Sequence, residues 1–163
     1  MSFVENKKLI YRYLSEISDP EIPVINIVEM GVVRDVLFHA SNIEIKLTPT
    51  YSGCPAMDMI HQLIKEKLHS KGYNDVVVTL VYKPAWTTDW MSDETKQKLT
   101  NYGIAPPVGK ATSKKALLSE ELVSCPQCGS INTEMKSMFG STACKALYVC
   151  KKCLEPFDYF KCI

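Results

Sequence analysis

Four of the seven cysteines stand in two C-x2-C pairs, Cys125-Pro-Gln-Cys128 and Cys150-Lys-Lys-Cys153, with 21 residues between the pairs. No other feature constrains the fold as strongly. A two-residue gap lets one tight turn offer two sulfurs to the same ion, and a tetrahedral zinc ion takes four thiolates. Gly129, directly after the second sulfur, permits the positive φ such a turn needs. The spacing predicts a zinc ribbon over 123–163 that holds one structural zinc through Cys125, Cys128, Cys150 and Cys153. Segments 132–138 and 143–149 are expected to pair as the hairpin joining the two turns. A tail this short cannot build a sufficient core from apolar residues alone, so a metal explains its stability. Buried free thiols, a redox C-x2-C and an iron–sulfur cluster are the rival readings. Cys144 and Cys162 lie close by and could substitute as ligands, but read first as small buried hydrophobes.

No segment reaches 18 consecutive apolar residues, and residues 1–9 carry Glu5, Lys7 and Lys8 with no apolar core, so neither a membrane span nor a signal peptide is expected. The expected location is cytoplasmic, where paired cysteines point to metal rather than to structural disulfides. The charge balance of 19 basic and 18 acidic residues lacks the basic excess of a nucleic-acid binder. The lysines at 110, 114 and 115 read as a solvated linker.

The first hundred residues have their own pattern. Phe3, Ile10, Leu14 and Ile17 recur at near-helical spacing, and Asp19-Pro20 stops that helix. Residues 32–38 and 43–47 read as two strands joined at 39–42; in the second, Ile43, Ile45 and Leu47 alternate with Glu44 and Lys46. A helix is expected over 55–70 with the stripe Ile60, Ile64, Leu68, closed by Lys71-Gly72. The β-branched run 76–82 reads as a strand buried on both faces or nearly so. Ser92 can cap a short helix over 93–100, with Gly103 beyond its end. The expected fold class is α+β, a small α/β sandwich of helix, β-hairpin, helix and strand, followed by the ribbon. The expected domains are 1–104, a linker over 105–122, and 123–163.

Cys54 is the one cysteine outside the tail, in Thr48-Pro-Thr-Tyr-Ser-Gly-Cys54-Pro55. A helix N-terminus offers unpaired N–H groups and a positive dipole end, so Cys54 is expected to be more acidic than a free cysteine. Hydroxyls of Thr48, Thr50, Tyr51 and Ser52 could hydrogen-bond near it. Such a thiolate suits a nucleophile, a redox sensor or one ligand of a shared metal, or else is simple packing. His39, His61 and His69 read as structural, and no phosphate loop, nucleophile elbow or catalytic carboxylate pair is present.

Five stretches taken together carry a resemblance: Asp19-Pro-Glu-Ile-Pro23, Leu47 through Ala56, Pro84-Ala-Trp-Thr-Thr-Asp-Trp90, Gly103-Ile-Ala-Pro-Pro107 and Phe139 through Tyr148. The chain resembles the PaaD family, accessory subunits of the bacterial phenylacetyl-CoA ring-epoxidising oxygenase. Its first domain resembles the iron–sulfur assembly proteins that include SufT. The resemblance implies a role in aerobic phenylacetate degradation without independent catalysis. It implies oxygenase or reductase subunits as partners, and iron or an iron–sulfur cluster as cargo. The matching positions make Cys54 the transient ligand, with Asp19 and Glu21 as weaker candidates, hard oxygen ligands or hydrogen-bonding supports; Thr50 joins them as a support from its place in the cysteine loop. The chain lacks the paired Glu-x-x-His helices of a di-iron site and the cysteine run of a plant-type ferredoxin.

Two functions remain open at this point. One is a maturation factor that passes metal through Cys54, as a monomer or as a homodimer sharing a cluster. The other is a non-catalytic docking module whose ribbon presents Phe139, Tyr148, Phe157, Tyr159 and Phe160 to an oxygenase subunit.

Overall fold

The computed structural model describes residues 3–109 and 122–161. Most of the expected linker, and Cys162, lie outside the described residues. The chain divides into two compact units between Trp86 and Thr87.

The first unit runs α1 (Phe3–Leu14), β1 (Val33–Phe38), β2 (Ile43–Leu47), α2 (Ala56–Ser70) and β3 (Val76–Leu80). This is the helix, hairpin, helix, strand order read from the sequence. The sheet order is β1-β2-β3, with β1 antiparallel and β3 parallel to β2. The helical stripes do bury: Ile10 and Leu14 of α1, and Ile60, Ile64 and Leu68 of α2, are fully inaccessible. Ile45 and Leu47 of β2 are also inaccessible. Burying each such side chain contributes about 1.5–3 kcal/mol. Trp86 closes the unit: its ring is buried, and its Nε1 donates to the Met30 carbonyl at 2.9 Å.

β3 departs from expectation. It is an edge strand rather than one covered on both faces, and Val77 and Leu80 are 45% and 42% exposed. A continuous β-branched run signals a strand but does not say how many neighbours it has.

Among the described residues, the second unit contains a 3-10 turn (Thr88–Trp90), α3 (Asp93–Tyr102), β4 (Ile104–Ala105), β5 (Thr133–Ser137), β6 (Lys145–Cys150) and β7 (Pro156–Phe160). Ser92 caps α3 by accepting from the Thr95 amide, and Gly103 ends it in the left-handed region at φ 94°. The four strands order as β4-β7-β6-β5. The expected hairpin is β5–β6; β7 and β4 are additions to it. The domain boundary expected at 104/105 falls inside β4, which pairs in parallel with β7. Two residues of strand give no readable alternation, so that pairing is invisible in the sequence. Val123, Ala146, Tyr148, Phe157 and Tyr159 form the core of this unit together with Cys125 and Cys150.

Candidate metal centres

The two C-x2-C turns have the same backbone. The Gly129 amide donates to the Cys125 carbonyl and the Leu154 amide to the Cys150 carbonyl, each at 2.9 Å. The Cys125 amide donates to Ser130 and the Cys150 amide to Glu155, again at 2.9 Å. Both turns need a left-handed residue after the second sulfur. Gly129 supplies it at φ 69°, whereas the second turn places Leu154 there at φ 66°. The glycine is readable from sequence; the leucine is not, because it carries no local signal of that conformation.

The four sulfurs lie within 4.8 Å of one another. Cys125 and Cys153 are 3.7 Å apart, and Cys128 and Cys150 3.6 Å. A tetrahedral ion with metal–sulfur bonds of about 2.3 Å has edges of about 3.8 Å, so the cage fits one zinc-sized ion. Cys125 and Cys150 are buried in the core, while Cys128 and Cys153 face outward. Amide hydrogen bonds from Cys153 and then Lys152 bring the Cys150 thiol down to about 6 against the effect of burial, with help from the Cys153 and Cys128 thiols. A hydrogen bond donated by the Glu155 amide lowers Cys153, but burial and the Cys150, Cys128 and Cys125 sulfurs outweigh it and push that thiol up to about 12. Four sulfurs this close do not ionise together without a cation between them. Cys144 is buried outside this cage, with the Thr142 hydroxyl 3.0 Å from its sulfur.

In the first unit, Cys54 directly precedes Pro55 at the start of α2. Its amide donates to the Tyr51 carbonyl at 3.3 Å, and its carbonyl accepts from Met57 at 3.2 Å. Gly53, at φ 78°, makes the turn that delivers it. The residue is nearly inaccessible, and burial pushes the thiol up from its ordinary value. The Ala56 amide pulls it down, the Glu21 charge raises it, and Tyr51 and Thr50 lower it through hydrogen bonds. The net shift is opposite to the acidic thiol expected from the helix start. Desolvation of a thiolate in an apolar setting, with a carboxylate beside it, outweighs one amide hydrogen bond.

The structure therefore brings Glu21, Thr50 and Tyr51 to Cys54. Asp19 acts on the backbone: its buried Oδ1 accepts from the Glu21 and Ile22 amides at 2.8 and 2.9 Å. Its own amide donates to Ile25 at 2.8 Å, fixing the turn that carries Glu21. The Thr48 hydroxyl, at the other end of the cysteine loop, is buried with no hydrogen-bond partner among the described residues. His39 pairs with Glu44 and His69 with the Asn74 carbonyl, each at 3.0 Å, as structural residues would.

The aromatic docking platform is not as expected. Tyr148, Phe157, Tyr159 and Phe160 are core residues, with Tyr148 stacked on Phe157 and edge-on to Tyr159. Only Phe139 of that set is exposed, at 66%. Alternate residues of β7 face the ribbon core, and without that strand its aromatics read as free.

Among the described residues, no helix is long and apolar enough to cross a membrane. Residues 7–80 match the iron–sulfur cluster assembly protein family, and residues 109–161 match the PaaD zinc beta ribbon domain. A crystal structure of a DUF59 domain of unknown function from Bacillus anthracis aligns with a TM-score of 0.55 at 30% identity, over 59% of this chain and 92% of that one. An Fe-S protein maturation auxiliary factor of Porphyromonas gingivalis is 34% identical over 60% of this chain and 93% of its own length. An Escherichia coli K12 protein named as a subunit of 1,2-phenylacetyl-CoA epoxidase is 51% identical over 94% of this chain and 92% of its own. With both domains in order and that identity carried along nearly the full length of both chains, this chain belongs to the PaaD family of phenylacetyl-CoA epoxidase subunits.

Proposed function

We propose that the protein is a maturation factor for a phenylacetyl-CoA epoxidase, carrying iron or an iron–sulfur cluster transiently on Cys54 and delivering it to an oxygenase or reductase subunit. The observation that carries this reading is Cys54 at the start of α2, its buried thiol under the charge of the Glu21 carboxylate. A metal must displace the thiol proton to bind sulfur. In this reading Glu21, whose charge acts on the thiol, accepts that proton and then offers a hard oxygen beside the soft sulfur. One cysteine supplies too few ligands for a permanent site, so cargo held there leaves readily. Asp19 and Thr50 serve as supports, the first through the turn and the second through a hydrogen bond. The zinc of the ribbon, held by Cys125, Cys128, Cys150 and Cys153, is structural: it neutralises the four sulfurs and ties the two turns together.

The test is epoxidase activity reconstituted with the Cys54→Ser chain. Lost activity with partner binding intact supports delivery through Cys54. Unchanged activity rejects it and leaves the docking module. That second reading has one observation of its own. Met138 and Phe139, 56% and 66% exposed, sit on a loop braced by Ser141 on Asp158 and by Lys161 on the Met138 carbonyl.

A further inference from the structure

The free edge of β3 is built differently from every other sheet edge among the described residues. β1 is interrupted by a bulge between Val33 and Asp35 and carries Arg34 and Asp35. β5 has a bulge between Met135 and Ser137 and carries Glu134 and Lys136. β4 is two residues long. These are the devices that keep an edge from pairing with another chain. β3 has none of them. Through β3 and the two residues that follow it, the chain runs Val-Val-Val-Thr-Leu-Val-Tyr from Val76 to Tyr82 without charge, proline or bulge, and Val77, Leu80 and Tyr82 are exposed.

We infer that β3 pairs edge to edge with β3 of a second copy of this chain, antiparallel, about a twofold axis at Thr79. Two observations set that register. The Ile43 amide donates to the Asp75 carbonyl and the Val81 amide to the Leu47 carbonyl. Residues 75, 77, 79 and 81 therefore turn their backbone groups to β2, and Val76, Val78, Leu80 and Tyr82 turn theirs to the open edge. Only pairings between outward residues close a ladder, so the register can move only in steps of two. Of these registers, the one centred on Thr79 sets Val76 against Tyr82 and Val78 against Leu80 as hydrogen-bonded pairs. It also sets Asp75 against Lys83 of the other copy at both ends. Both of those side chains are exposed. They occupy non-hydrogen-bonded positions, where side chains approach most closely. A shift of two residues either way leaves both carboxylates opposite apolar residues.

The pairing is independent of metal delivery. The two β2 strands are separated by three strand spacings, about 14 Å, and their Cys54 loops leave in opposite directions. Each Cys54 therefore works alone, and this interface does not build a shared cluster.

The test is sedimentation equilibrium of the full chain over a concentration series, with charge reversals at the strand ends. The parent is expected to show a reversible monomer–dimer equilibrium. Asp75→Lys, and separately Lys83→Asp, should each weaken dimerisation by roughly tenfold or more, because each sets two like-charged pairs across the axis. The double variant should recover the parent value. Val78→Pro removes an outward amide and no β2 bond, and should abolish the dimer. A parent that stays monomeric to its solubility limit overturns the inference. So does a dimer indifferent to the single reversals, or single losses that the double variant does not recover.

Discussion

At the residue scale, Leu154 and Gly129 solve the same turn at unequal cost. A left-handed conformation costs a side-chain-bearing residue about 1–2 kcal/mol, offset in part by the greater unfolded-state freedom of glycine. Leu154→Gly is expected to raise ribbon stability by up to about 1 kcal/mol, and Gly129→Ala to lower it by a similar amount, both read by thermal melting. A Cβ at Gly129 meets nothing within 4 Å, so backbone strain alone would be measured. The Cys54 thiol gives a second prediction. Its folded pKa lies above the ordinary thiol value, so its stabilising contribution is complete below the unfolded-state pKa and is lost as pH rises through the folded one. Iodoacetamide should therefore modify Cys54 in the folded chain more slowly than a free cysteine at the same pH. The gap should close as pH rises, as followed by peptide mass spectrometry. Spacing alone puts Cys54 at a helix start but yields the wrong sign for its acidity. Burial is set by how the helix packs, and the Glu21 charge arrives from a turn more than thirty positions away.

At the element scale, the sequence is legible wherever periodicity runs long enough. The stripe of α2, the alternation of β2 and the Ser92 and Gly103 caps of α3 all appear where their residues predict. β7 is hidden behind the cysteine turn that precedes it, and its short alternation reads equally well as surface aromatics. Ser92→Ala removes the oxygen that accepts from the Thr95 amide at 3.2 Å. It should cost about 1 kcal/mol, measured by chemical denaturation.

At the scale of the whole molecule, the two units rest on different forces. The first has an apolar core to which the helix stripes and the inward residues of β2 all contribute. The second threads Cys125 and Cys150 through its core, so its packing and its metal cage stand or fall together. A strong chelator is expected to unfold the second unit while the first keeps its protected amides. Hydrogen exchange would separate the two: lost protection in β5, β6 and β7, retained protection in α2 and β2. The four-sulfur cage is legible from spacing because turn chemistry is local. Thr50 and Tyr51 are legible beside Cys54 because they share its loop, whereas Glu21 is legible only through family resemblance, because no spacing rule joins it to Cys54.

The most direct test of metal delivery through Cys54 is metal content with a visible spectrum, on protein purified without oxygen beside its Cys54→Ser variant. The expected result is one zinc per chain in both, with iron and colour in the parent alone. Zinc alone in both preparations, or iron retained in the variant, would contradict a carrier role for Cys54.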